Sequence, residues 1–333
     1  MTELEQNLLA IIQDAFPLEE RPYLVLAEQL GSDEQSVFAA VENLRRSGII
    51  RRIGGVYDSK ALGFISRLCA GKVPTATTGA ADDSALEKFA AVVNVIPAIT
   101  HNYVRSHEYN VWFTVIAQSE EEIQKIVDDV CAKTDLHDVH VLSATKKFKI
   151  NTVMGAGAPV SSRHLAVGRK KSVESRAELS ASDRVRIRIA CNDIPHTLTP
   201  FKDWDVSCDE LCEDLDLRRM RRFGAILRHQ EAGFAFNAMV CFAETVDSRQ
   251  WSVDRNSVNP AGAILASKPY ISHCYNRPAF EGFPYTLYAM MHAQSAEELD
   301  RQIKEAAESI GNSDYVVLRS VRELKKTSFK FFV

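Results

Sequence analysis

His101, Tyr103 and Arg105 occupy alternate positions in the stretch HNYVRSHEYNVWFT, and His273, Tyr275 and Arg277 repeat that spacing in HCYNRPAFEGFPYTLY. Alternate side chains of an extended chain share one face, so each stretch projects an imidazole, a phenol and a guanidinium together. An imidazole gives and takes protons near neutral pH. A phenol adds a hydrogen-bonding edge to an aromatic face, and a guanidinium holds carboxylates through paired hydrogen bonds. Stability alone does not require two cationic groups on one strand face, so the repeated trio reads as a site. His107, in the same stretch, and His292, in AMMHA, are second candidates for proton transfer, each competing with an ordinary hydrogen-bonded role. Further cations stand at Arg51 and Arg52, in RRIGGVYDSKALGF, and at Arg221 and Arg222, in RRFGAILRHQEAGF. If those segments are extended, neighbouring side chains diverge and one arginine of each pair reaches a common ligand. Trp112 and Phe113 read as core, not as stacking groups.

The elements that must position these residues come in two copies. The frame RR-x-G-x(8)-GF occurs twice, from Arg51 and again from Arg221. His101, Tyr103, Arg105 and Thr114 recur, at almost the same offset, as His273, Tyr275, Arg277 and Thr286. Two motifs in one order at nearly one offset indicate duplication of a unit of about 150 residues, an ordinary domain size. In the first copy, Leu4, Leu8, Ile11 and Ile12 mark a helix. A second runs from Tyr23 to Leu30, closed by Gly31, and Ser32 caps a third that carries Val37, Val41 and Leu44 on one face and stops at Gly48. Arg45 and Arg46 fall at its end as solvated cations that complement the helix dipole.

Ile49 to Tyr57 suits a β-wing, which completes a winged helix-turn-helix over residues 1–60. There follow a strand (Ser66 to Val73), a helix (Ser84 to Ala91), two strands (Ala98 to Arg105, Val111 to Gln118), a helix (Ser119 to Lys133) and a strand (Val139 to Lys149). That order, βαββαβ, describes a ferredoxin-like domain over residues 61–152. Residues 153–182, rich in small residues and carrying the basic cluster Arg169-Lys170-Lys171, read as a linker. A degenerate winged helix (183–230) and a second ferredoxin-like domain (231–333) complete the chain. The predicted class is α+β, two repeats of a winged helix-turn-helix followed by a ferredoxin-like domain.

Composition narrows the function classes. The 333 residues are 46% hydrophobic, enough for more than one core. The opening MTELEQNLLAIIQDAF carries acids where a signal peptide carries bases, and no stretch approaches the roughly 20 apolar residues of a membrane span. Seven cysteines, odd in number and irregular in spacing, fit a reducing cytoplasm, with no membrane partner. Cys208 and Cys212 read as small buried hydrophobes, without a second half that would make a metal site. The net charge of −4 gives no global reason to expect a polyanion.

A winged helix before a ferredoxin-like domain is similar to the Lrp/AsnC-type transcription regulators, so DNA binding has to be weighed. Affinity for DNA rests on basic residues that contact phosphates. Residues 1–58 hold five arginines against ten acids, and Asp205 to Asp216 holds six acids and no base where a second recognition helix belongs. Like charge repels DNA, so no DNA partner is expected and the helix-turn-helix reads as a packing module.

The longer motifs carry a more specific resemblance. RRIGG…LGF followed by THNYVRSHEYNVWFT, and RRFGA…GF followed by SHCYNRPAFEGFPYTLYAMMHA, resemble the two paralogous subunits of the siroheme decarboxylases, here in one chain. The first half, ending in FKI, resembles one subunit type, and the second, ending in KKTSFKFF, the other. Only the second winged helix departs from the pattern, where LDLRRMRRFG stands in place of SGIIRRIGG. The resemblance implies non-oxidative removal of carbon dioxide from two acetate side chains of siroheme. The product is didecarboxysiroheme, on a route to haem d1 or, by an alternative path, to haem.

Under that resemblance His101 and His273 are proton donors or orienting groups, with His107 and His292 behind them. Arg51, Arg52, Tyr103, Arg105, Arg221, Arg222, Tyr275 and Arg277 bind the carboxylate-rich substrate, between sheet face and wing. Siroheme is the substrate; no resident cofactor or protein-held metal is implied, and the substrate iron could take an axial contact from His101 or His273. The chain is expected to be an intramolecular pseudo-dimer, compatible with a further homo-oligomer. The alternative from another class is a non-catalytic, haem- or siroheme-responsive regulator.

Overall fold

The computed structural model describes residues 1–74, 84–150, 178–228, 234–243 and 260–332. The first repeat runs through α1 (Glu3–Ile12), α2 (Pro22–Leu30), α3 (Glu34–Arg46), β1 (Ile50–Tyr57), β2 (Ile65–Gly71), α4 (Ser84–Asn94), β3 (Ile99–Arg105), β4 (Val111–Ala117), α5 (Glu120–Thr134), β5 (Val139–Leu142) and β6 (Lys146–Ile150). The second runs through α6 (Ala181–Ala190), α7 (Cys208–Asp216), β7 (Met220–Leu227), β8 (Phe236–Ala243), α8 (Pro260–Ser267), β9 (Ile271–Asn276), β10 (Tyr285–Ala293), α9 (Ala296–Ser309) and β11 (Tyr315–Lys326). The chain divides into two compact units, and each takes elements from both repeats. The expected linker up to residue 177, with its basic cluster, lies outside the described residues. Helix α6 begins just inside the expected linker boundary because Ser180 and Asp183 form a capping box.

The first unit joins the helices α1, α2, α3, α6 and α7 to the strands β1 and β7. Thr2 and Glu5 form a capping box on α1, and Asp33, one residue beyond the expected Ser32, caps α3 by accepting the Ser36 N–H at 2.9 Å. Among the described residues no helix of the second repeat answers to α2; turns occupy that stretch. The expected wing is shared between the repeats. Each repeat supplies one strand, and β1 pairs antiparallel with β7 with Gly54 opposite Gly224. Because these glycines hold the same place in the two RR-x-G frames, the pseudo-twofold axis passes through this pair.

The close approach explains why both are glycine. A Cβ on Gly54 would come closer than 3.0 Å to the Asn192 carbonyl oxygen beyond α6, and one on Gly224 would lie 2.5 Å from the Ile12 and 2.8 Å from the Gln13 carbonyl oxygens at the end of α1. Backbone cannot yield as a side-chain tip can. Gly224→Ala is therefore expected to destabilise the protein by about 1–3 kcal/mol, the usual range for forced overpacking. Denaturant unfolding checks this, and a change within about 0.5 kcal/mol would contradict the geometry.

Two further buried clusters hold this unit. Arg45 is not the solvated cation expected of a helix end: its side chain is 8% exposed and pairs with Asp193, whose other oxygen accepts the Ile53 N–H at 2.7 Å. Asp214, inside the acidic α7, is fully buried; Arg186 donates to both of its oxygens at 2.9 and 3.2 Å, and the Tyr57 hydroxyl donates at 2.8 Å.

The second unit contains the two ferredoxin-like repeats fused into one nine-stranded sheet, ordered β5-β2-β4-β3-β11-β8-β10-β9-β6. Within it, β5-β2-β4-β3 and β11-β8-β10-β9 are each the ferredoxin-like arrangement. The last strand of each repeat then crosses to the other. The first part of β11 pairs with β8, and its end pairs with β3 of the first repeat. The expected single strand Val139 to Lys149 is likewise two segments, because β5 pairs with β2 whereas β6 pairs with β9 of the second repeat.

One sheet face carries helices: Phe89, Phe113, Val115 and Val127 pack together in the first repeat, and Val240, Leu265, Ala289 and Ile303 in the second. The opposite, inner face is shared, with Trp112, Leu142, Met239, Phe283, Tyr288 and Leu318 in one cluster drawn from both repeats. Trp112 and Phe113 are thus core, on opposite faces. The ladder also corrects the internal alignment. The Arg105 N–H donates to Asn110 and the Arg277 N–H to Thr286, so the counterpart of Thr286 is Asn110, not Thr114. The second repeat has a longer connection between these strands, which shifts the correspondence of every residue beyond it.

Candidate functional site

The β3 and β9 ladders put both trios on the inner face as matching stacks. The His101 and Tyr103 rings lie 6.5 Å apart at 26°, and those of His273 and Tyr275 6.1 Å apart at 25°. Arg105 stands 5.1 Å over the Tyr103 ring and Arg277 5.2 Å over that of Tyr275, within cation–π range. The imidazole and phenol of each stack are half-buried, while Asn102 and Cys274, on the other face, are fully buried.

Each imidazole is held by the residue before it. Thr100 Oγ1 is 2.9 Å from His101 Nδ1, and Ser272 Oγ is 2.9 Å from His273 Nδ1. Here the repeats diverge: Ser272 Oγ also lies 2.9 Å from Nε2 of the buried His292. The N–H of His292 donates to Tyr270 and that of Ile116 to Ala98, so Ile116 is the counterpart of His292 in the first repeat. Nothing in the spacing singles out Ser272; the signal available was its place before His273, mirrored by Thr100 before His101. The crossing strands contribute neighbours that the sequence also conceals. Lys326 pairs with His101 and Glu323 with Tyr103, whereas Ile150 pairs with His273 and Lys147 with Tyr275.

The two arginines of the stacks grip the crossing strands. Arg105 Nη1 donates to the Leu318 carbonyl and the Ser320 hydroxyl, both at 3.0 Å, and Arg277 Nη1 donates to the Leu142 carbonyl at 2.6 Å. Each guanidinium thus reaches from its own repeat to the last strand of the other, or to the strand that leads into it. Burial pushes Arg105 down to about 10, which leaves it cationic at neutral pH. The residue is 5% exposed.

The chain matches the AsnC-like ligand binding domain over residues 61–149 and 231–325, and the siroheme decarboxylase NirDL-like HTH domain over residues 5–51. It is 31% identical over 339 aligned residues to a siroheme decarboxylase of Hydrogenobacter thermophilus, covering 98% of this chain and 94% of that protein. The chain belongs to the siroheme decarboxylase family. A siroheme decarboxylase alpha subunit of Desulfovibrio desulfuricans is 45% identical over 150 residues, 45% of this chain and 82% of that subunit. The crystal structure of the siroheme decarboxylase NirDL in complex with an iron-uroporphyrin III analogue superposes with a TM-score of 0.67 at 27% identity, covering 99% of this chain and 95% of that one.

For a siroheme decarboxylase, the remaining candidates sort by their surroundings. His107 sits in the turn after β3, where its Nδ1 accepts the Tyr109 N–H at 3.1 Å and its ring meets Phe283 edge-on at 5.4 Å. Burial holds its imidazolium below the usual range. Within the first unit, Arg52 and Arg222 turn back onto their own wings, donating to Gly55 at 3.2 Å and Ala225 at 3.3 Å, and Arg222 also donates to the Gln13 carbonyl at the end of α1. Burial brings both to about 10. Arg51 is half-buried and Arg221 exposed, the latter donating to the Tyr57 carbonyl at 3.1 Å.

All seven cysteines are free thiols, and the reading of Cys208 and Cys212 needs correcting: Cys212 is exposed and Cys208 half-buried on α7. Among the described residues no group of histidine, cysteine and carboxylate side chains could hold a metal, and no helix is long and apolar enough to cross a membrane.

Proposed function

We propose that this chain is a carboxy-lyase that removes carbon dioxide from two acetate side chains of siroheme, giving didecarboxysiroheme for haem d1 or alternative haem synthesis. The observation that carries this is the pair of His-Tyr-Arg stacks on one sheet face, in a chain of this family. Each step converts a CH2–COO⁻ group and one proton into CH3 and carbon dioxide. The electron pair left by the departing carboxylate is accepted by the conjugated macrocycle, and a positioned imidazolium supplies the proton. His101 and His273 are assigned as proton donors, Tyr103 and Tyr275 as groups that orient the substrate, and His107 and His292 as supporting residues. Arg51 and Arg221 are assigned to substrate carboxylates. Arg52, Arg222, Arg105 and Arg277 are assigned to holding wings, strands and stacks in place. The macrocycle is the electron sink, so this reading calls for no resident cofactor. The seven free thiols support a cytoplasmic location.

Anaerobic incubation with siroheme, followed by mass spectrometry of the pigment, tests the function. Successive loss of two carbon dioxide units is expected, and unchanged siroheme would contradict it. DNA is not among the assigned partners, because the acidic helix-turn-helix would repel phosphate. A short duplex is accordingly expected to run unretarded at submicromolar protein in low salt, and salt-sensitive retardation would favour a regulator.

A further inference from the structure

Resting on the assignment of His273 as a proton donor, we propose that Ser272 and His292 are positioning residues that hold His273 with its proton on Nδ1 and raise its proton affinity above that of His101. A hydroxyl has one proton and two lone pairs. Ser272 Oγ lies 2.9 Å from one ring nitrogen of each histidine; in the proposed arrangement it accepts from His273 Nδ1–H and donates its own hydrogen bond to His292 Nε2. The competing acceptor, the Met290 carbonyl, is farther at 3.4 Å.

This direction leaves Nε2 as the working nitrogen of His273. Because the hydroxyl is polarised by donating to a second imidazole, it accepts more strongly from the first. Both residues behind His273 are buried, at 5% exposure for Ser272 and 7% for His292, so solvent does not compete for the chain. In the first repeat Thr100 supplies the hydroxyl, but Ile116 stands where His292 would be. The neighbouring strands place these groups around the pair. Tyr275 stacks on His273, Lys147 lies opposite Tyr275 on β6, Ile150 lies opposite His273, and Asn237 lies opposite His292 on β8. The repeats are therefore equipped differently for the same proton step.

The test uses 15N-histidine-labelled full-length protein, free of pigment, for imidazole titration by NMR, alongside single-turnover decarboxylation of siroheme against pH. Ser272→Ala and His292→Ile should each move the His273 titration down by about one pH unit, the equivalent of one lost hydrogen bond to a charged group. They should slow turnover about tenfold at neutral pH, with siroheme affinity held. Ser272→Thr should restore both readouts, since Thr100 plays that part in the first repeat, and Thr100→Ala should leave the His273 titration in place. The spectra also report folding. An unmoved His273 titration in Ser272→Ala, or failure of Ser272→Thr to restore it, would overturn the proposal. If the wild-type protein leaves siroheme unchanged, the functional reading fails while the titration still decides the pairing.

Discussion

His273→Ala is expected to lower single-turnover decarboxylation of siroheme by about a hundredfold or more, since a positioned general acid contributes about 10²–10⁴ in rate. The loss should fall on the chemical step and spare pigment binding, as it does when a group acts only in the transition state. His101→Ala should cost visibly less, because His101 has Thr100 behind it but Ile116 in the place of His292. Absorbance titration gives affinity, and the pigment's mass over time gives turnover. Equal, partial losses in the two variants would mean two independent sites and would sink the asymmetric account.

The second large effect concerns stability. Arg186→Ala leaves Asp214 fully buried without the guanidinium that donates to both of its oxygens, and with Arg219 Nη1, 3.6 Å from one oxygen, as a more distant cation. Removing one partner of a buried ion pair costs about 3–5 kcal/mol, because the remaining charge keeps its desolvation penalty. Replacing the pair together, as Arg186→Met with Asp214→Leu, should recover much of that loss, although the Tyr57 hydroxyl then also loses its acceptor. The same cluster predicts an acid limb. Burial works against the Asp183 carboxylate, but hydrogen bonds from Ser180 and Arg186 prevail and hold it at about 2, below its ordinary 3.8. A depressed carboxylate contributes stability that is present above the ordinary value and is lost as pH falls from there towards about 2. Arg186→Ala should weaken that limb. Denaturant unfolding between neutral pH and pH 2 measures both effects, and a loss under about 1 kcal/mol at neutral pH would contradict the burial argument.

The sequence made some parts of this molecule legible for definite reasons. Period-two spacing brought out the His-Tyr-Arg trios, and duplication brought out the two-repeat plan, because both are local patterns that survive in one dimension. What one dimension hides is pairing. The strand expected from Val139 to Lys149 breaks in two because its second part serves the other repeat. Gly54 and Gly224 stand in the repeated RR-x-G frame, yet the carbonyls that demand them belong to the other repeat's helix ends. Arg45 read as solvated because its partner, Asp193, is remote in the chain. The same blindness hid Ser272: a serine beside a histidine has no meaning until β10 places His292 against it.

The most direct measurement of the central claim is wild-type turnover of siroheme in deuterated buffer without oxygen, with the product examined by mass spectrometry and NMR. If imidazoles deliver solvent-derived protons to the carbons that lose carbon dioxide, the product will have lost two carbon dioxide units, and each new methyl group will carry one deuterium. Methyl groups without deuterium, or pigment returned with all its acetates, would contradict the account.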